Sequence, residues 1–342
     1  MSSTTQPTTF ADLYTDLMNR MRSDTGQASA VVIAKRLIQQ AHEDLYIGNG
    51  EHFHWAERRA TITTHPQYTT GTLSATVGSG TITGSGTAWN TANDYGQNNV
   101  RAGGRMTIGG SNEVYEVTAV ASDASATISP NYIGSTDTGL SYNYFEDEYS
   151  LASDFSKPVD VQSFDWNKGI RLIGRTEFRR IYPRNRVPTT VIRDATWYDH
   201  PFSGNTTPIR KVRFAPPPSN AQIIQYAYVT SNLVIASDGT AQSAFSADTD
   251  EPIMPLRYRH VIVSGARAQW YLDRKDDSQR ARDAQSEYAS LVQRMIDDQD
   301  IGGSTANFRV QTAGYKYRAR RPWRSGSRRY DVNGAFDRLE DR

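Results

Sequence analysis

Residues 71–89, GTLSATVGSGTITGSGTAW, decide how the middle of this 342-residue chain folds. Leu73, Ala75 and Val77, then Ile82, fall at alternate positions with glycines between the runs. Successive residues of a strand point to opposite faces, and glycine supplies the positive φ that tight hairpins need. The pattern returns in RMTIGG (105–110), NEVYEVTAV (112–120) and SATISPNY (125–132), with turn signals between the runs. This spacing predicts a small antiparallel β-barrel or sandwich over residues 67–146. A phosphate-loop reading of Gly78–Gly86 fails. A dinucleotide fingerprint requires glycine where Thr83 stands, and the chain has no Gly-Lys-Ser/Thr.

On either side of this insert the pattern changes. Thr9, with Asp12 three residues on, reads as a helix N-cap with its capping-box acid, followed by Phe10, Leu13, Tyr14, Leu17, Met18 and Met21 at helical spacing. A second helix is expected from about Gln27 to Tyr46, with Ala28, Val31, Val32, Ile38, Ala41 and Leu45 on one face and Gly48 as its stop. Residues 52–63 alternate with period two, Phe53 and Trp55 against His52 and His54, as a strand does. After the insert, DEYSLASDFSKPVDV (147–161), GIRLIGRTEFRRIYP (169–183), KVRFAPPP (211–218) and QIIQYAYVT (222–230) read as longer aromatic-rich β runs. Pro252 and Pro255 fit just before a third helical region. Its apolar face would be Val261, Ile262, Gly265, Ala268 and Leu272, continued by Ala281, Ala284, Tyr288, Leu291, Val292 and Met295 up to Ile301-Gly302-Gly303.

The net charge of +1 conceals an uneven distribution. Residues 301–342 hold ten Lys or Arg against four Asp or Glu, which leaves 28 against 33 in the rest. Between Arg309 and Arg329 there is no carboxylate, and Tyr315, Lys316, Tyr317, Arg318, Arg320, Arg321, Trp323 and Arg324 form its densest part. Such a segment cannot bury enough apolar surface to fold alone, so it orders only against a partner. Arg, Tyr and Trp are enriched at protein interface hot spots, and the same residues also make the stacking and phosphate contacts of single-strand binding. A docking arm, a nucleic-acid arm and an inert solvated tail all fit this composition.

Sites of chemistry are not evident. With no cysteine, disulfides, thiolate metal sites and thiol nucleophiles are excluded. Glu51, His52 and His54 lack a third spaced ligand group for a metal, and Asp199-His200 lacks a nucleophile context. The paired acids Asp147-Glu148 and Asp297-Asp298 read as solvated surface. No catalytic, cofactor-binding or metal residues are therefore assigned, and the chain is expected not to be an enzyme. The longest apolar run, Ala30–Ala34, is far shorter than the roughly 20 residues of a membrane span. The polar start MSSTTQPTTF lacks a secretory pattern, so a cytosolic origin is expected and Asn205-Thr206-Thr207 reads as a loop.

The element Tyr149-Ser150-Leu151-Ala152-Ser153-Asp154-Phe155, followed by RLIGRTEFRRIYP (171–183), resembles the head-to-tail adaptor, or connector, proteins of tailed bacteriophages. KVRFAPPP leading to IIQYAYV, and the spacing of Pro252, Pro255, Tyr258 and Ile262, extend the resemblance over roughly residues 10–65 and 146–300. Ala152 stands where the family pattern has proline. The insert resembles small β modules of phage structural proteins, and minimal adaptors lack it. The resemblance implies an α+β chain with a helical bundle built from the N- and C-terminal helices and a central β region carrying the inserted module. Its parts are 1–66 (helices and first strand), 67–146 (insert), 147–250 (central β region), 251–301 (C-terminal helices) and 302–342 (extended arm). It also implies a homo-oligomeric ring, typically dodecameric, in the virion neck, assembled in the host cytoplasm. Portal protein would lie on one side, a tail or nozzle protein on the other, and double-stranded DNA would pass through the lumen. Residues 315–324 of the arm would dock on the portal, with Gly302-Gly303-Ser304-Thr305 as a flexible exit from the last helix. Two other readings compete: a nucleic-acid-binding protein gripping phosphate with the arm, and a phage glycan- or receptor-binding protein that uses the insert.

Overall fold

In the computed structural model, which describes residues 6–22, 27–47, 53–159, 169–183, 187–200, 209–274 and 278–303, helix α1 spans Phe10–Arg20. Its start is the capping box that Thr9 and Asp12 announce. Asp12 N donates to Thr9 Oγ1 at 3.3 Å, and Thr9 N donates back to the Asp12 carboxylate at 3.0 Å. Phe10, Leu13, Leu17 and Met18 are buried. Helix α2 (Ala28–Ile47) buries Ala34, Leu37, Ile38, Ala41 and Leu45. The expected stripe is rotated at its start: Ala28 is exposed and Val32 is 66% exposed, because the 3.6-residue period leading back from Ile38 and Ala41 passes through Ala34, not Val32.

The chain divides into two compact units. Among the described residues, one contains Leu13–His42 and residues 257–303, and the other contains Pro7–Asp12 with Glu43–Leu256. The second unit is the β unit. Its first strand, β1, covers Glu57–Thr63 and not residues 52–63. Phe53 is buried, stacked on Trp55 at 4.7 Å and edge-on to Tyr46, while Trp55 Nε1 donates to the Tyr46 hydroxyl. These contacts hold His54–Ala56 in a 3₁₀ turn, so the aromatic alternation there marks packing onto the end of α2.

The insert contains β2 (Thr72–Ala75), β3 (Thr81–Ser85), β4 (Arg105–Ile108), β5 (Tyr115–Ser122), β6 (Ser125–Ser129), β7 (Asp137–Leu140) and β8 (Tyr142–Phe145). They form one antiparallel sheet in the order β7-β2-β3-β6-β5-β4-β8. Consecutive in sequence yet at opposite edges, β7 and β8 are joined by Ser141 alone. A flat seven-stranded sheet, with strands about 4.8 Å apart, would separate its edges far beyond the reach of one residue. The sheet is therefore curled, and its inner face holds Leu73, Ile82, Met106, Val117, Ile128 and the fully buried Trp89. Trp89 Nε1 donates to the Tyr142 hydroxyl, which in turn donates to Thr70 O, so both buried polar ends are satisfied.

Strands β9 (Glu148–Ser150), β10 (Phe155–Pro158), β11 (Arg171–Leu172), β12 (Asp194–His200), β13 (Ile209–Ala215) and β14 (Ile223–Thr230) build two sheets, β1-β14-β10 and β11-β12-β13-β9. Their shared core includes Ile62, Leu151, Phe155, Phe214, Ile224 and Tyr226. The sequence RTEFRRI, expected to extend the β structure, is instead helix α3 (Arg175–Ile181). Period two would give RTEFRRI no apolar face, whereas about two helical turns bury its one aromatic, Phe178. Short strands β15 (Val234–Ile235), β16 (Ala241–Gln242) and β17 (Glu251–Pro252) complete this unit.

In the other unit, helices α4 (His260–Arg274) and α5 (Ser278–Gly303) follow the two prolines. Val261, Ile262, Ala268, Ala281, Ala284, Val292 and Met295 are buried as expected, but Leu272 is 51% exposed. Gly265 marks a close approach of the pair. A Cβ there would lie 2.9 Å from the Tyr288 ring. Arg267 pairs with Glu287, and the Tyr258 hydroxyl donates to Asp298, linking the same two helices and the turn before them. On the α2 side of this unit the Lys35 ammonium lies over the Tyr14 ring at 4.9 Å.

Candidate functional site

The most chemically loaded place among the described residues lies where the insert meets the central β region. Strand alternation creates it. On β13, Val212 and Phe214 enter the core, so Lys211 and Arg213 emerge together on the other face. The β12 partners of these two are Tyr198 and Thr196, and Glu148 on β9 lies opposite Arg213. From the insert, Arg105 of β4 projects toward the same place, because its neighbours Met106 and Ile108 alternate into the curled sheet.

Asp147 ties these pieces together. Its side chain is 1% exposed, accepts a hydrogen bond from Arg213 Nε at 2.7 Å and forms an ion pair with Arg105, whose Nε lies 2.8 Å from Oδ1. Glu148 adds a second bond to Arg105 at 2.7 Å and stands 3.8 Å from Arg213. One residue earlier, Glu146 accepts from Arg101 Nε at 2.9 Å and from the Tyr144 hydroxyl at 2.6 Å. Tyr144 reaches it because Gly104 has no side chain; a Cβ there would lie 2.1 Å from the tyrosine oxygen. Three consecutive carboxylates, Glu146, Asp147 and Glu148, thus hold two arginines of the insert and one of the central sheet.

The electrostatics follow from burial and pairing. Burial alone would raise the Glu148 pKa, but Arg105, the Tyr198 hydroxyl, Arg213 and Lys211 outweigh it and lower the value. Burial alone would lower the Arg105 pKa, yet Asp147 and Glu148 raise it. The Tyr198 hydroxyl is pushed up, first by burial and then by the Glu148 charge. The Glu148 and Arg105 shifts favour the charged pair, and the Tyr198 shift keeps that hydroxyl protonated, able to donate to Glu148. The reading of Asp147-Glu148 as solvated surface is therefore overturned: each sits in a partly buried ion-pair network. Adjacent acids look alike in any loop, and only the arginines at 105 and 213 distinguish this pair.

Above the network is an open cleft of about 300 Å³, lined also by Gly103, Glu116, Arg175, Phe178 and Arg179. Arg175 lies over the Tyr198 ring at 5.0 Å, and Arg213 lies over the buried Phe178 ring at 5.8 Å. The outer wall is α3, the segment that the sequence pattern assigns to a strand.

The remaining sequence candidates separate. The arm residues Tyr315, Lys316, Tyr317, Arg318, Arg320, Arg321, Trp323 and Arg324 lie outside the described residues, as do Glu51 and His52. His54 pairs with Glu57 at 3.1 Å and Asp199 with Arg210 at 2.9 Å. Asp298, of the second acid pair, accepts from Tyr258 and lies 3.3 Å from Arg257. No group of three His, Asp or Glu placed to hold a metal occurs among the described residues. No helix among them is long and apolar enough to cross a membrane.

The Tyr-x-Leu-x-x-Asp-Phe element has structural work in this fold. The Tyr149 hydroxyl accepts from His65 N at 3.0 Å and donates to Glu146 O, and Leu151 is buried. Asp154 accepts from the Tyr228 hydroxyl and from Thr230 Oγ1, both at 2.7 Å. Phe155 is fully buried against Trp197, Tyr226 and Tyr228. The chain matches no protein-family model and no curated protein. Its function is therefore argued from these residues and from the division of the chain into two units.

Proposed function

We propose that this chain is a head-to-tail adaptor of a tailed bacteriophage, a structural protein whose copies close into a ring between portal and tail. One observation carries the reading. Helical segments within Leu13–His42 and within residues 257–303 cluster in one unit, while the intervening chain forms a β unit of its own. That division is what a ring wall of terminal helices with a β region between them requires, and it supports a helical bundle as the wall. The residues that carry the resemblance fit with it: Tyr149, Leu151, Asp154 and Phe155 bind β9, β10 and β14 into one core.

The charge distribution also supports a conduit. Outside residues 301–342 acids outnumber bases, 33 to 28, and a lumen that attracted every phosphate of a passing duplex would hold it back. The basic arm would instead serve a protein partner, its arginines meeting carboxylates of the portal and its aromatics filling crevices.

The mass of the purified full-length protein in solution, alone and mixed with portal, tests the proposal. A closed multiple of the 38.2 kDa chain that co-elutes with portal is expected. A monomer under both conditions refutes it. Deleting residues 307–342 should abolish portal capture. If deletion leaves capture intact, the docking role of the arm is wrong. A nucleic-acid arm would reveal itself through duplex affinity falling by about 0.9 log units per log unit of salt for each phosphate contacted.

A further inference from the structure

We propose that the cleft between α3, β13 and the insert is a binding site for a phosphate group. The inference uses only the β unit and is independent of the ring proposal. Its first ground is charge. Five cations, Arg105, Arg175, Arg179, Lys211 and Arg213, line the cleft, against Glu116 and Glu148 in its wall and Asp147 behind them. Five positive charges against three negative leave two positive charges unneutralised. A phosphate monoester carries about −1.5 to −2 at neutral pH and matches that excess, as do two neighbouring phosphodiesters of a nucleic-acid backbone at one charge each, whereas one carboxylate supplies half of it.

The second ground is how the cations are held. Arg213 bonds Asp147 through Nε, and Arg105 bonds Glu148 through a terminal nitrogen while its Nε ion-pairs with Asp147, which holds both guanidinium groups at the cleft floor. Arg213 has its two terminal nitrogens left for a ligand, since a guanidinium offers five N–H donors. Among the described residues no carboxylate lies within ion-pair distance of Arg179 or Lys211, and Arg175 rests on the Tyr198 ring. Arg175 and Arg179 are four residues apart on α3, so they share a face where like charges repel. A helix of seven residues carries that repulsion, and an anion seated between them would relieve it. The floor is thus preorganised by buried acids, and the rim cations Arg179 and Lys211 have no carboxylate at ion-pair distance among the described residues. Arginine forks of this kind bind phosphate oxygens in pairs.

The phosphate could belong to a small molecule or to a nucleic-acid backbone, and two arms of one experiment separate these sources. Binding of inorganic pyrophosphate to the full-length protein is measured by titration calorimetry at low salt, beside a short DNA duplex as competitor. The variant Arg179→Gln/Lys211→Gln, both positions away from the core, is compared with wild type and with Arg180→Gln, which changes α3 outside the cleft lining. Because the basic arm is present in every protein tested, only the difference between variants reports on the cleft. Loss of two charge-assisted bonds should weaken pyrophosphate binding about a hundredfold, with Arg180→Gln unchanged. Pyrophosphate binding that the duplex cannot displace assigns a small-molecule source, and displacement that depends on Arg179 and Lys211 assigns the backbone. The proposal is overturned if neither ligand binds at concentrations on the order of 1 mM, or if the double variant binds as wild type does.

Discussion

Replacing Asp147 with alanine removes the carboxylate that Arg105 and Arg213 share and leaves both arginines on Glu148 alone. The cost can be worked from the geometry. An ion pair with Arg105 at 2.8 Å and a charge-assisted hydrogen bond from Arg213 at 2.7 Å disappear, and the group removed is 1% exposed. Breaking a buried pair by removing one partner costs roughly 3–5 kcal/mol, because the remaining charge stays desolvated. Here the arginine side chains are 26% and 23% exposed and keep a second acid, which places the loss near the lower end, about 3 kcal/mol. For a unit of roughly 200 residues this corresponds to a fall of about 6–12 °C in Tm. The assay is thermal and urea unfolding followed by tryptophan fluorescence, to which Trp89 of the insert and Trp197 of the central core contribute among the six tryptophans. Asp147→Asn, which keeps the shape and one acceptor, should fall between the two proteins. Because the pair is shielded, the difference should persist when salt is raised. If Asp147→Ala melts within 1 °C of wild type, the carboxylate does not bind the insert to the central sheet and the reasoning fails.

Three further outcomes follow from other contacts. Gly265→Ala should destabilise the α4–α5 pair by about 1–3 kcal/mol through the clash with Tyr288, and the companion change Tyr288→Ala should recover part of that loss in a double-mutant cycle. Burial lowers the His42 pKa from 6.5 to about 3, so the unfolded chain binds a proton that the folded chain refuses. Stability should therefore fall as pH drops below 6.5, by about 2 kcal/mol at pH 5, and His42→Leu should flatten urea midpoints measured across that window. Tyr228→Phe should cost about 1–1.5 kcal/mol by removing one donor from Asp154 while Thr230 still bonds it, as read from chemical denaturation.

What could be read from residues alone divides by range. The insert strands obey a period of two that each run carries within itself, and the α1 cap closes over four residues, so both are written locally. Helix α3 is not, because seven residues with one aromatic give no periodic signal, and the decisive fact is that Phe178 meets a core built from distant strands. The candidate cleft is still less local. Arg105, Asp147, Arg179 and Arg213 come from three elements and the β8–β9 connection, spread over more than a hundred residues, and nothing near Asp147 in sequence announces two arginines. The one available hint is the alternation of Lys211-Val212-Arg213-Phe214, which sets two cations on the face opposite an apolar core. The arm is the opposite case: composition makes it conspicuous, while its described neighbours end at Gly303.

The bridge that closes the insert also bears on its ancestry. Tyr68 and Tyr144 exchange both backbone hydrogen bonds, at 3.0 and 2.9 Å, so the polypeptide enters and leaves the module at one point. A module whose ends touch can be spliced into or out of a surface connection without stretching its host. Excision here would take Arg101 and Arg105 with it and leave Glu146 and one side of Asp147 without their cations. A shorter relative should then carry compensating changes at those acids or at Arg213, so the carboxylate triplet would record whether its lineage has ever housed the module.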